Sequence, residues 1–347
     1  TDLLTQSVSF LPDFKTESPV TNVKIPTFLQ NKEDTGVTEL PGARVRDYLI
    51  TWIVAWVESY GIDGFRCDTA KHVDMDAWSE LSIAANTALR TWRAENPNKA
   101  FPDSEYVDPD TPFWMTGEVF PHGVVKDDYF TVGGFNSVIN FEFQKDIDEA
   151  LTDIKTVDAL YSEYAAAINT DPEFNVLSYL SSHDTSMFFE KEANGDLELQ
   201  KLGGTLLLMC PGAVQIFYGD ENAREPGPNG GDSKQGLRSD YQFGANPGVM
   251  AHWQRLGQFR KRHPAIGAGS HTTVSDEPYI FRRAIGDDVV YVAIGATGEV
   301  AIDVSEQWVD GVEILEVYSG ATGAVTNGMV TFSPDASGVL LLERASN

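Results

Sequence analysis

Apolar and polar positions follow one rhythm up to about residue 270 and another beyond it. In the first part helical spacing dominates. Tyr48, Ile50, Trp52, Ile53, Trp56 and Val57 recur every three to four residues and predict a helix over 44–60. Trp78, Leu81, Ala85, Ala88, Leu89 and Trp92 predict a second over 75–93, with these aromatics in its core face. Further helices are expected over 146–168, 197–210 and 249–262. Between them lie short apolar runs bounded by turn residues, predicting strands that end near Cys67, Glu118, Asn140, Ser181 and Tyr218. Strands alternating with helices are the pattern of parallel βα units. Past His271 a period of two takes over in 279–283, 289–294, 300–304, 312–318, 329–332 and 338–342, which predicts a small antiparallel β-domain. Residues 1–40 are weakly periodic and interrupted by Pro12, Pro19 and Pro26, so they are expected to be a loop-rich excursion. The expected domains are 1–40, 41–268 as the parallel βα portion and 269–347 as the β-domain.

The ends of the predicted strands carry chemistry. In the strand ending at Cys67, Arg66 and Asp68 share one face while Phe65 and Cys67 share the other. A guanidinium beside a carboxylate favours its charged form, and an ionised, oriented Asp suits a covalent nucleophile. Alone, this pair is better described as an Asp helix cap beside a solvated Arg. Two further strands change that reading: 113–118 ends in Glu118, and 175–184 ends in His183-Asp184. Acids delivered by the C-terminal ends of different parallel strands are a feature of (β/α)₈ barrel sites. Such a barrel closes with eight strands and the pattern supplies five. The expectation is therefore that the remaining strands belong before Thr1, in a longer polypeptide or in a separate chain left by proteolytic nicking.

Charge and composition narrow the partners. Asp and Glu number 52 against 25 Lys and Arg, giving a net charge of -27. That argues against nucleic acid or an anionic membrane as partner and suits a neutral polymer. It fits a salt-adapted protein or an ordinary acidic secreted one. No apolar run reaches membrane-span length. Cys67 and Cys210 are expected to be separate buried thiols, and no zinc-type spacing occurs.

The stretches Gly64-Phe65-Arg66-x-Asp68-x-x-Lys71-His72, Thr116-Gly117-Glu118 and Ser182-His183-Asp184 resemble, in order and spacing, the strand-four, strand-five and strand-seven signatures of the α-amylase family, family 13 of the glycoside hydrolases. Further stretches, 113–118, 174–185, 211–221 and 262–269, resemble its bacterial periplasmic branch. The resemblance implies the C-terminal part of a TIM barrel, about strands four to eight, with 1–40 a remainder of the domain inserted after strand three. It implies Asp68 as nucleophile, Glu118 as general acid/base and Asp184 as the third carboxylate. Arg66 would orient Asp68, His183 would hydrogen-bond the sugar being cleaved, and Lys71 and His72 would lie on the leaving-group side. Calcium is implied with the His72 carbonyl as one ligand and the others upstream of Thr1. Chloride is not, because Ser182 stands where chloride-dependent members carry Asn. The family's strand-three Asp-Asn-His signature is absent from the chain.

The expected function is retaining, endo-acting hydrolysis of α-1,4-glucosidic bonds in starch and maltodextrins, in the periplasm or outside the cell. A retaining site needs two carboxyls about 5 Å apart, one ionised and one protonated. Phe113, Trp114 and Met115 predict an apolar setting favouring the protonated form of Glu118. The alternatives are a transglycosylase or exo-acting enzyme with the same acids, and an inert or glucan-binding fragment.

Overall fold

The computed structural model describes residues 12–30, 32, 37–97, 99, 110–228 and 234–345. Parts of the 1–40 excursion, most of the loop that follows residue 97 and the segment 229–233 of the 222–247 loop lie outside the described residues. The chain folds as two compact units, Thr1–Phe120 with Lys126–Val138, and Pro121–Val125 with Ile139–Asn347.

In the first unit, α1 (Val45–Tyr60) and α2 (Met75–Glu95) are tied by ion pairs from Arg44 to Glu80 at 2.8 Å and from Arg46 to Asp74 at 3.0 Å. The inward stripe of α2 is the predicted one: Trp78, Leu81, Ala85, Ala88 and Leu89 are buried. β1 (Gly64–Cys67) runs parallel to β2 (Trp114–Gly117), pairing Cys67 with Gly117. Gly64 permits this approach, since a Cβ there would sit 2.5 Å from the Trp114 carbonyl oxygen. β2 in turn pairs in parallel with the start of β3 (Ser137–Asn140). The excursion is not wholly irregular: Ile25, Ala43 and Tyr48 form a small buried cluster, and the Tyr48 hydroxyl takes the Leu40 N–H at 2.9 Å.

In the second unit the end of β3 is followed by β4 (Val176–Ser178) and β5 (Ala213–Val214), also parallel, with α3 (Val157–Ile168), α4 (Leu197–Leu208) and α5 (Pro247–Arg262). The five predicted parallel strands are thus present, although β5 stops four residues short of Tyr218. The helix expected over 146–168 is confined to α3, with two short 3-10 turns, Glu149–Leu151 and Ile154–Thr156, ahead of it. Hydroxyls intervene there: Thr152 donates to the Glu149 carbonyl at 3.0 Å and Thr156 to that of Asp153 at 2.8 Å. Such local bonds compete with helix continuation.

From Ser270 the unit is antiparallel. Its strands are β6 (Ser270–Asp276), β7 (Tyr279–Ile285), β8 (Asp288–Ile294), β9 (Val300–Asp303), β10 (Glu313–Glu316), β11 (Ala321–Ala324), β12 (Met329–Phe332) and β13 (Leu340–Arg344). Six form a sheet in the order β11-β10-β13-β8-β7-β6, and β12 pairs with β9. Tyr291, Ile302, Trp308, Ile314, Val330 and Leu340 pack between them. β6 and β11 were not expected. The polar residues of β6 and the small, mostly exposed ones of β11 carry little of a core's alternation, and their pairing is set by their neighbours.

Candidate active site

Two acid-bearing corners lie at the C-terminal ends of parallel strands, one in each unit. In the first unit the chain leaves β1 through Asp68 and Thr69 into a 3-10 turn, Ala70–His72. Thr69 adopts φ 45°, a left-handed conformation that is costly for a β-branched residue. What holds it there is Glu118: its side-chain Oε2 takes the Thr69 N–H at 2.9 Å and its backbone carbonyl takes the Ala70 N–H at 2.9 Å. The Glu118 N–H itself donates to the Cys67 carbonyl at 2.8 Å. The two strand ends are thereby stitched together residue by residue.

Arg66 grips both carboxylates. One guanidinium nitrogen lies 2.6 Å from Asp68 Oδ2 and the other 2.9 Å from Glu118 Oε1. Partial burial works against ionisation of Asp68. The hydrogen bond and charge of Arg66 outweigh it and hold the carboxyl below its ordinary value of 3.8. The expected ionised Asp68 is therefore supported. The apolar setting expected for Glu118 is not found, because its carboxylate faces Arg66 and a backbone N–H. Phe113 and Met115 are indeed buried, yet they lie five and three positions back along the chain from Glu118. Lys71 donates to the Phe120 carbonyl at 2.9 Å, and His72 is partly buried at the end of the 3-10 turn.

In the second unit β4 leads to the His183-Asp184 corner. The Ser182 hydroxyl shapes it, accepting the N–H groups of Asp184 at 3.2 Å and Thr185 at 3.0 Å. Asp184 has two partners, His183 Nε2 at 2.9 Å and Arg238 at 3.2 Å. Lys234 reaches the same turn through the Thr185 carbonyl at 2.8 Å. Behind it, Ser181 donates to the buried Asp220 at 2.5 Å, and burial pushes that carboxyl up to about 7 despite the Ser181 bond. Asp220 is thus a core acid.

The structure therefore brings together Arg66, Asp68, Glu118 and Lys71 in one unit, and His183, Asp184 and Arg238 in the other. Thr69, Lys234 and the joint grip of Arg66 on Glu118 escaped sequence reasoning. For calcium, no three His, Cys, Asp or Glu side chains among the described residues are grouped to hold a metal. A calcium site takes six to eight oxygens, so these side chains do not form one by themselves.

A family model described as the alpha amylase catalytic domain matches residues 39–227, more than half the chain and all of both corners except Arg238 and Lys234. The chain belongs to the alpha-amylase family. This member is 47% identical over 296 residues to the periplasmic alpha-amylase of Escherichia coli K12, a match covering 84% of this chain and 41% of that protein. It is 24% identical to the cyclomaltodextrin glucanotransferase of Paenibacillus macerans, over 83% of this chain and 35% of that one. The amylase-family chain thus spans less than half the length of these relatives. Among solved structures, the alpha-amylase of Geobacillus thermoleovorans complexed with acarbose superposes with a TM-score of 0.66 at 20% identity, over 89% of this chain and 67% of that one. That likeness shows the fold: amylase-type parallel strands followed by an antiparallel sheet. No helix among the described residues is long and apolar enough to cross a membrane.

Proposed function

We propose that this chain carries the catalytic acids of a retaining, endo-acting hydrolase of α-1,4-glucosidic bonds in starch and maltodextrins. The observation that carries the reading is the shared grip of Arg66 on Asp68 and Glu118. Two carboxylates on one guanidinium suit the close pair of a retaining site, about 5–5.5 Å apart, better than the wider pair of an inverting one. Asp68 attacks the anomeric carbon as the bond to the leaving oxygen breaks, and protonated Glu118 gives its proton to that oxygen. In the second half Glu118 takes a proton from water, the water oxygen bonds to the anomeric carbon, and the Asp68 ester is released. Asp184, His183 and Arg238 would hold sugar hydroxyls, and Lys71 and His72 would face the leaving side.

Proton NMR of maltoheptaose cleavage tests the stereochemistry. The first product is expected as the α-anomer; a β-anomer would overturn the retaining assignment. Asp68→Asn is expected to lower kcat by on the order of 10⁴-fold or more. Product sizes decide the alternative that the glucanotransferase relative suggests: chains longer than the substrate mean transfer. Early mixed oligosaccharides mean endo-hydrolysis.

The proposal includes strands four to eight of a barrel whose other strands come from further polypeptide. The exposed Ile53, Trp56 and Tyr60 on α1 support it as an apolar face left open. It also includes calcium at the His72 carbonyl, and a periplasmic or secreted location on the strength of the E. coli relative's name. Native mass spectrometry reads the first two together, as added polypeptide and added calcium. A bare chain mass of 38.1 kDa with full activity would overturn both.

A further inference from the structure

We propose that Tyr241 and Phe243 form a stacking platform that holds a long α-glucan beyond the His183-Asp184 corner; this rests on the hydrolase reading above. Phe243 is 92% exposed, the most exposed large apolar side chain among the described residues. It packs edge-on against Tyr241 with ring centroids 4.7 Å apart. An aromatic ring left in water on a mobile loop would mean little. This loop is anchored on both flanks.

Arg224, only 1% exposed, lies inside the loop. It donates to the carbonyls of Tyr218 at 2.9 Å, Leu237 at 3.1 Å and Ser239 at 3.1 Å, and to the Ser239 hydroxyl. Asn222, equally buried, donates to the carbonyl of Gln242, the residue between the two aromatics, at 2.5 Å, and accepts the Asn246 N–H at 3.1 Å. Gly219 makes this possible: its φ is 94°, and a Cβ there would sit 2.5 Å from Arg224 Nε. Nearby, the Glu221 carboxylate accepts the Gly219 N–H at 2.9 Å. The backbone beneath the rings is held by hydrogen bonds while the Phe243 ring lies open to solvent, which is the arrangement of a binding platform.

The same loop is tied to the acid corner. Arg238 holds Asp184, and five residues of chain from Arg238 to Phe243 span at most about 17 Å, the reach of a few sugar units. A glucose ring offers an apolar C–H face to an aromatic and a rim of hydroxyls to carboxylates such as Glu221. A neutral polyhydroxyl chain also suits a molecule with a net charge of -27. Two rings on a loop tip are far smaller than a protein interface needs.

The test compares the full enzyme with Phe243→Ala and Phe243→Trp on maltotriose and maltoheptaose. Phe243→Ala is expected to raise KM for maltoheptaose about fivefold to tenfold, with kcat near wild type and a much smaller change for maltotriose. Phe243→Trp is expected to restore the wild-type KM. Equal losses on both substrates, or none on either, would overturn the platform. Calorimetric titration with maltoheptaose separates this from the hydrolase reading. Cleavage by the wild type with an unchanged Kd in Phe243→Ala defeats the platform alone. Neither cleavage nor binding by the wild type defeats both.

Discussion

The corner after β1 and the corner after β4 both present carboxylates at a strand end, but they hold them by opposite means. The first is stitched by backbone hydrogen bonds between neighbouring strands and neutralised by one Arg two residues from its acid. The second is shaped by hydroxyls and reached by basic groups from a loop some fifty residues on, with the acid Asp220 sealed beneath it. The difference shows in titration. Asp68 is held below its ordinary value, so its contribution to stability is present above pH 3.8 and is lost as pH falls through the lowered native value. Asp220 is held above it. The folded state keeps that proton up to about pH 7 while the unfolded chain releases it near 3.8, so this contribution is lost as pH rises between the two. One corner is built for charge and the other is built over a neutral acid.

The largest expected break in this comparison comes from Arg66→Met. It removes the grip on both acids at once and should lower kcat/KM by about 10²- to 10³-fold. The acid limb of the pH–rate profile should also move upward, because Asp68 loses the charge that depresses it. A limb that stays in place would show that Arg66 does not set the ionisation of Asp68. Next comes Asp220→Asn. Measured by denaturant unfolding at pH 4 and pH 7, the variant should gain on the wild type by up to about 4 kcal/mol across that interval. A constant difference would mean that Asp220 does not titrate as a buried acid. The smallest effect is expected at the strained corner. Thr69→Gly keeps the N–H that Glu118 uses and relieves the left-handed strain. It also loosens the unfolded chain, so the two effects should cancel to within about 1 kcal/mol. A loss several times larger would mean that the Thr69 side chain, not only its backbone, supports the site.

The first corner was the more legible of the two in sequence because its parts are local. Arg66, Asp68, Lys71 and His72 sit within seven residues, and strand alternation alone puts Arg66 and Asp68 on one face. The grip of Arg66 on Glu118 was not readable, because the register that pairs Cys67 with Gly117 appears only once the strands are laid side by side. The second corner offered His183 and Asp184 but not the roles of Lys234, Asn222 or Arg224, whose partners depend on how a long Gly- and Pro-rich loop returns. The same logic explains the strands. Those with their own apolar alternation, β7, β8 and β12, were found, while β6 and β11 were recruited by neighbours. The apolar run 216–218 looked like strand, yet Ile216 and Tyr218 are largely exposed and β5 ends at Val214.

Cys67 sits next to the proposed nucleophile, and it is free, as is Cys210. Both are buried, and burial pushes each thiol up to about 12, against the lowering pull of nearby arginines. Only the thiolate reacts, so at neutral pH roughly one molecule in 10⁵ offers an oxidant or alkylating agent anything to attack. A chain with two unpaired cysteines would ordinarily age in an oxidising medium through mixed disulfides and cross-linked dimers. This one should store and work there without a reductant, its acids beside a sulfur that chemistry cannot easily reach.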